Sequence, residues 1–168
     1  KDSMSGTFND IDVPPTLVSF AVDVAKIQDV ITPELKKAGN KLVWLRAPKD
    51  QYDLPDYAGI MDQYEKLHKD MQDGKVVSAY ALDRHGIAAA VAKMAFGNGM
   101  GVKIEHNLDP RDFFAPGFGD IILEVPDGKV GELSITYTVI GEVTADGNFS
   151  YGNTVITVDE AENAWKGT

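Results

Sequence analysis

The first residues of the chain, KDSMSGTF, combine the residue types that bind phosphate together with a divalent cation. The hydroxyls of Ser3 and Ser5 can donate hydrogen bonds to phosphate oxygens, and the Lys1 ammonium can neutralise phosphate charge. The Asp2 carboxylate can hold a metal ion such as Mg²⁺. The alternative is a frayed chain end, because small polar residues at a terminus are commonly poorly ordered.

A second polar group lies in ALDRHGIAAA, where Asp83, Arg84 and His85 connect a predicted strand to a predicted helix. The free N–H groups and the dipole at a helix start favour an anion, and the Asp83 carboxylate can hold Mg²⁺ beside a phosphate. The alternative is that Asp83 caps the helix while Arg84 pairs locally. Both interpretations are open at this point.

Other polar residues favour structural roles. Gly97, Gly99 and Gly101 have the spacing of a dinucleotide loop, but they follow a helix and precede a strand, so they indicate a helix stop and a turn. His68 lies on the apolar stripe of a helix and is expected to be a packed or edge residue, and His106 has no obvious partner. No catalytic residue is assigned. Five acids are expected to be solvated loop or edge charges: Asp109, Asp112, Asp120, Glu124 and Asp127.

Composition narrows the class of protein. The 168 residues are 43% hydrophobic and 25% charged, which suits one sizeable core. The net charge of −10 argues against nucleic-acid and anionic-membrane partners, because an acidic surface repels phosphate. The chain has no cysteine, which agrees with a cytoplasmic location. The longest apolar stretch, GIAAAVAKMAF, is too short to span a bilayer.

The hydrophobic pattern predicts an α/β (α+β) fold, a layered mixed sheet with crossing helices. The first core strand is predicted from about Leu17 to Val24. The clearest helix is DLPDYAGIMDQYEKLHKDMQDG, with Asp53 as its N-cap and Gly74 at its end. Further helices are predicted in GIAAAVAKMAF and DEAENAWKG. The other strands are predicted in NKLVWLRAP, KVVSAYALD, VKIEHN, DIILEVPDG, ELSITYTVIGEVT and YGNTVITV.

Three segments, KDSMSG, VPPTLVSFAV and AYALDRHGIAAAVAKMAFGNGMGVKIE, resemble the second half of the long form of phosphoribosylformylglycinamidine (FGAM) synthase. The resemblance covers nearly the whole chain and is looser from Asp109 onward. In that family a glycine precedes KDSMS, so the chain is expected to start inside the motif. The resemblance implies that residues 1–15 are the last loop of an N-terminal domain. Residues 16–168 are then a C-terminal domain of the aminoimidazole ribonucleotide synthase type.

The resemblance also implies a reaction. The family is an ATP-dependent amidotransferase ligase that converts formylglycinamide ribonucleotide (FGAR), glutamine and ATP to FGAM in purine biosynthesis. ATP and Mg²⁺ are then cofactors of the parent enzyme, and the isolated fragment is expected to bind neither and to be inactive. The expected partners are the remaining synthase domains and a glutaminase domain of the same chain.

Site residues carried over from the family fall in two places. Lys1, Asp2, Ser3 and Ser5 match a loop that contacts nucleotide, Mg²⁺ and substrate in shorter relatives. Asp83 matches an acid that binds Mg²⁺ at a second, non-catalytic nucleotide site, and His85 lies where the family can have a serine near that nucleotide.

Departures from the family weaken the second site. The family turn commonly continues Ser-Asp-Gly-Gly, whereas here His85, Gly86 and Ile87 follow Arg84. The segment FFAPGFGDIILEV replaces a stretch that carries an acid in relatives. The first alternative function is therefore a scaffold or docking repeat with a degenerate nucleotide site. The second is another member of the superfamily, of the selenophosphate synthase or hydrogenase-maturation type.

Two structural expectations follow. Residues from Lys1 to about Asp12 are expected to be extended or poorly ordered and apart from the core. If the nucleotide site is functional, the Asp83 carboxylate is expected to be free of protein cations and to face a cleft. If it is not, a cap or a salt bridge to Arg84 or a neighbouring lysine is expected to engage Asp83, and this arrangement is the favoured one.

Overall fold

The computed structural model describes residues 2–105 and 108–167, with backbone only for residues 2–4. The chain divides into two compact units, Lys1–Val30 and Ile31–Thr168. We call them the N-terminal unit and the main unit. The units divide after Val30, whereas the sequence analysis places a domain boundary after residue 15, and the assignment of those two domains stays a prediction.

The N-terminal unit is a two-stranded antiparallel hairpin, β1 (Asp2–Phe8) and β2 (Ile11–Val18), followed by irregular chain. The extended conformation expected for the first residues is thus confirmed for the described ones. The predicted core strand from Leu17 to Val24 is wrong, because β2 ends at Val18 and Val24 is 93% exposed. Alternating apolar residues favour a strand but do not supply its partner, and a two-stranded hairpin offers no second layer for burial.

The main unit contains a seven-stranded sheet in the order β4-β6-β3-β7-β5-β8-β9. Neighbouring strands are antiparallel except β5 and β8, which are parallel. The mixed sheet with crossing helices is therefore confirmed. Its elements in chain order are β3 (Lys41–Leu45), α1 (Tyr57–Gln72), β4 (Ser78–Ala81), α2 (Gly86–Phe96), β5 (Gly101–Ile104), α3 (Pro110–Phe114), β6 (Ile121–Val125), β7 (Thr138–Thr144), β8 (Asn148–Tyr151), β9 (Thr154–Thr157) and α4 (Val158–Lys166).

Both faces of the sheet are covered, which gives three layers. Leu42 and Trp44 of β3 pack in a cluster with α2, whereas Val43 and Leu45 pack in a second cluster with Leu67 of α1. Successive side chains of a strand point to opposite faces, so the continuous apolar run in β3 follows from burial on both sides. None of the helices in the described part of the chain is long and apolar enough to cross a membrane.

Helix α1 begins later than predicted. Its N-cap is Asp56, whose Oδ1 accepts a hydrogen bond from the Gly59 N–H at 3.1 Å, whereas Asp53 adopts a positive φ of 63° upstream of the helix. Asp53 and Asp56 are both suitable N-caps by residue type. The left-handed backbone at Asp53 excludes it, because an N-cap residue has an extended backbone. The end at Gly74 is confirmed by its φ of 67°. His68 is exposed, not packed.

Glu124 is buried, contrary to the expectation of a solvated charge. It lies on β6, and its carboxylate accepts hydrogen bonds from the Lys36 N–H at 2.8 Å, the Lys37 N–H at 3.0 Å and Asn40 Nδ2 at 2.7 Å. These three donors belong to the loop that precedes β3. Glu124 therefore ties that loop to the sheet and is satisfied without solvent.

Candidate functional site

The polar residues of interest gather at one end of the sheet. Strands β3 and β4 both pair antiparallel with β6, so they run in the same direction, and their last residues, Leu45 and Ala81, both pair with Ile121. The chain that leaves β3 and β4 therefore meets the chain that enters β6. A cleft of about 280 Å³ opens here, which we call the strand-end cleft. Its lining includes Arg46, Lys49, Asp53, Leu82, Asp112, Phe118 and Asp120.

Asp120 forms the buried acidic part of the strand-end cleft, and it too contradicts the expectation of a solvated charge. Its Oδ2 accepts a hydrogen bond from Trp44 Nε1 at 2.9 Å, and its Oδ1 accepts one from the Ala47 N–H at 2.9 Å. Only 6% of the residue is exposed. Burial raises the pKa of this carboxyl above its usual range, although the two hydrogen bonds favour the charged form.

The two cations of the cleft already have acidic partners. The Arg46 guanidinium lies 3.9 Å from the centre of the Trp44 ring and 3.1 Å from Asp112 Oδ2. Lys49 Nζ lies 2.8 Å from Asp53 Oδ1. A carboxylate thus already neutralises each cation, which weakens the attraction of the strand-end cleft for free phosphate.

Sequence reasoning missed this cleft, although one signal was available. Arg46 directly follows the buried strand β3, Lys49 lies three residues further along, and Asp120 directly precedes the buried strand β6. In open sheets, ligands commonly bind in a crevice at the ends of the strands, so charged residues that flank buried strands are candidates for a binding site. The antiparallel pairing of the two strands could not be read from this signal.

Asp83 follows β4 at the same end of the sheet. Its Oδ1 accepts a hydrogen bond from the His85 N–H at 2.7 Å and lies 3.0 Å from His85 Nδ1, and its Oδ2 lies 3.9 Å from Lys93 Nζ. The His85 N–H hydrogen bond is the main cause that lowers the pKa of the Asp83 carboxyl. Arg84 does not pair with Asp83; its Nε donates to His85 Nε2 at 3.2 Å.

Of the contacts expected for a degenerate site, a cap or a salt bridge to Arg84 or to a neighbouring lysine, Asp83 makes the one to a lysine, with Lys93 Nζ at 3.9 Å. The N-cap of α2 is His85, and its side chain forms no capping hydrogen bond. The side chains of Asp83 and His85 are both about half exposed. Within the described ranges no three His, Asp or Glu residues are grouped so that they could hold a metal ion. The Mg²⁺ role of Asp83 and the nucleotide role of His85 stay predictions.

Gly86 explains how the start of α2 approaches the connection before β6. It has a φ of 69°, and a Cβ at this position would lie 2.5 Å from the carbonyl oxygen of Ala115. Any side chain would force the backbone apart. Because the Gly117 N–H also donates to the Asp83 carbonyl at 3.1 Å, the start of α2 is held against the segment that lines this side of the strand-end cleft.

The KDSMS segment differs from the predicted loop. Lys1 lies outside the described residues, and Asp2, Ser3 and Ser5 belong to β1. Ser5 lies at an irregularity in the β1–β2 register and is exposed. The strand conformation follows from the pairing with β2, which sequence inspection did not anticipate. The nucleotide and substrate contacts of these residues stay predictions.

Comparison with known proteins identifies relatives of the chain. No protein-family model matches it. The PurL subunit of phosphoribosylformylglycinamidine synthase from Lactobacillus acidophilus is 29% identical over 178 residues, which cover 91% of this chain and 24% of the relative. The PurL subunit from Limosilactobacillus fermentum is 24% identical over 183 residues, with the same coverage. The chain therefore spans about a quarter of the length of these relatives.

Solved structures show the same fold. Phosphoribosylformylglycinamidine synthase II from Thermotoga maritima aligns with a TM-score of 0.67 at 13% identity, covering 82% of this chain and 28% of that one. E. coli HypE aligns with a TM-score of 0.55 at 16% identity, covering 74% and 50%. The expected fold class is thus confirmed. The resemblance to FGAM synthase is confirmed as well, whereas the long form and the position in its second half stay predictions.

Proposed function

We propose that this chain, a relative of FGAM synthase PurL, is the second C-terminal domain of such an enzyme. The observation that supports the proposal most is that sequence and fold point to the same relatives: PurL subunits match 91% of the chain, and its fold matches FGAM synthase II with a TM-score of 0.67. Because the chain spans about a quarter of those relatives, the reaction is proposed for the longer protein that contains it.

The proposed reaction converts FGAR, glutamine and ATP to FGAM, glutamate, ADP and phosphate. ATP phosphorylates the amide oxygen of FGAR, and ammonia released from glutamine then displaces phosphate. Structures of T. maritima PurL complexed with FGAR and with ATP support this choice of substrates. Catalysis of this kind depends mainly on positioning and on charge neutralisation. Lys1, Asp2, Ser3 and Ser5 are the residues proposed to contact nucleotide and substrate.

The main unit is proposed to be a scaffold that binds no nucleotide of its own. The Asp83 Oδ1 already accepts a hydrogen bond from the His85 N–H, and its Oδ2 lies 3.9 Å from Lys93 Nζ, so Mg²⁺ would compete with a protein cation for this carboxylate. A lone, partnered carboxylate fits a magnesium site poorly. ATP and Mg²⁺ are then bound by other parts of the enzyme, and nucleotide binding by Asp83 and His85 is the alternative.

Exposed apolar side chains in the N-terminal unit support partner domains in the same protein. Phe20, Val22, Val24 and Ile27 are each at least 69% exposed. Such a run is unusual for a solvated segment and is typical of a contact surface. The remaining synthase domains and a glutaminase domain are the proposed partners, and the cytoplasm is the proposed location.

The test uses the full protein that contains this chain. It should release ADP in the presence of FGAR, Mg²⁺ and either glutamine or ammonia, and form no product without FGAR. Absence of FGAM under these conditions would overturn the assignment to this enzyme.

The scaffold role is tested separately by Asp83→Asn in the same protein, with Asp62→Asn, an exposed residue of α1, as the matched control. Calorimetric titration with ATP and Mg²⁺ should give the same nucleotide stoichiometry for both variants and for the wild type. Loss of one bound nucleotide in Asp83→Asn alone would show that this site is functional and would overturn the scaffold role.

A further inference from the structure

An apolar pocket of about 370 Å³ lies on the opposite side of the main unit from α1, among α2, α3, α4 and the β8–β9 hairpin. Its walls include Val91, Ile104, Phe113, Phe149, Tyr151 and Ile156. We propose that this pocket binds an uncharged, planar aromatic molecule of one or two fused rings. The proposal is independent of the proposed synthase reaction.

The size of the pocket suits such a ligand. Ligand pockets typically measure about 300 Å³ or more, and an apolar cavity of about 150 Å³ stays dry and binds benzene. The pocket is more than twice that size because α2 lines it with Ala88 and Ala92 and α4 lines it with Ala161, where longer side chains would fill the space. The volume of the pocket is therefore larger than a single aromatic ring requires.

The aromatic side chains define a flat, apolar environment. The rings of Phe113 and Tyr151 stack with their centres 5.7 Å apart and their planes at 14°, and Phe114 meets Phe113 edge-on at 5.1 Å. Phe114 is 65% exposed, so it lies at the entrance. Planar rings gain both apolar burial and favourable ring contacts against such walls.

The polar groups of the lining set the charge of the ligand. Among the described residues that line the pocket there is no Lys, Arg, Asp or Glu, so a charged ligand would lose its hydration without gaining a partner from them. The Tyr151 hydroxyl donates to the Leu108 carbonyl at 2.6 Å, which leaves the hydroxyl of Thr154, on the same face of β9 as Ile156, for a hydrogen bond with the ligand. A ring with one N–H or O–H group matches this lining.

Titration of the full chain with indole tests the proposal, with benzoate as the charged counterpart. We expect saturable changes in the amide NMR signals of α2 and β8 with indole and much weaker changes with benzoate. Ala92→Leu should fill the pocket and weaken indole binding at least ~10-fold. Ala89→Leu makes the same change on the same helix outside the lining and should bind indole like the wild type.

Ile156→Lys provides a second variant that does not depend on filling the pocket. Ile156 is 46% exposed, so the lysine can be tolerated, and it places a charge at the apolar wall. It should weaken indole binding as well. The proposal is overturned if indole does not bind saturably, or if Ala92→Leu and Ile156→Lys, shown to be folded by their NMR spectra, bind it as the wild type does. Dimerisation that protects the pocket from indole would also overturn it.

Discussion

Replacing Glu124 by glutamine tests whether a carboxylate buried in β6 holds the loop before β3 against the sheet. The side chain is fully buried, and its Oε1 accepts from the Lys37 N–H and Asn40 Nδ2 while its Oε2 accepts from the Lys36 N–H. Glutamine has nearly the same shape, so the substitution changes the charge and one acceptor without opening a cavity.

The expected loss follows from the hydrogen bonds. A glutamine amide keeps one acceptor oxygen, and the least costly orientation sets its NH₂ group against the Lys36 N–H, so at least one hydrogen bond is lost and two donors face each other. A hydrogen bond to a charged group contributes ~1.5–3 kcal/mol, and leaving a buried donor unpaired adds to the cost. We therefore expect Glu124→Gln to lower the free energy of unfolding by ~2–4 kcal/mol, a large part of the stability of a small domain.

Urea unfolding, followed by fluorescence and circular dichroism, measures this loss. Glu142→Gln is the matched control, because Glu142 is a half-exposed residue of β7 that pairs with Lys41 at 2.6 Å. A surface pair of this kind contributes at most ~1 kcal/mol. Equal losses in the two variants would refute the reasoning, since they would mean that the buried carboxylate contributes no more than an exposed one.

Two further predictions concern the strand-end cleft. Gly86→Ala should lower the free energy of unfolding by ~2 kcal/mol or more in thermal denaturation, because the positive φ is strained for alanine and the Cβ would meet the Ala115 carbonyl. The control Gly128→Ala has open space at its Cβ and should change this free energy little. Equal losses in the two variants would contradict the prediction. Burial raises the pKa of Asp120 in the folded state, so this group contributes stability that is fully present below its unfolded pKa and is lost as pH rises through its folded pKa. The wild type should therefore gain stability relative to Asp120→Asn as the pH falls from neutral through the folded pKa, and a constant difference across that range would refute the assignment.

Much of the main unit was predictable from local sequence patterns. The continuous apolar run of β3 and the small-residue helix α2 were both located from sequence, because each pattern reflects burial of a single element. The end of α1 at Gly74 follows from a positive φ that glycine adopts without strain. The family resemblance also came from short segments that are continuous in the chain.

Only the tertiary structure decided which charged residues are buried and where the strands pair. Glu124 is separated by 88 positions from Lys36, whose N–H it accepts, and Asp120 by 76 positions from Trp44. The segment from Leu17 to Val24 shows the converse case, since its alternating pattern predicts a strand that the N-terminal unit does not form. A local sequence pattern specifies whether a segment forms a helix or a strand. The hydrogen-bond partners of that segment and its burial depend on residues that meet only when distant strands such as β3 and β6 pair.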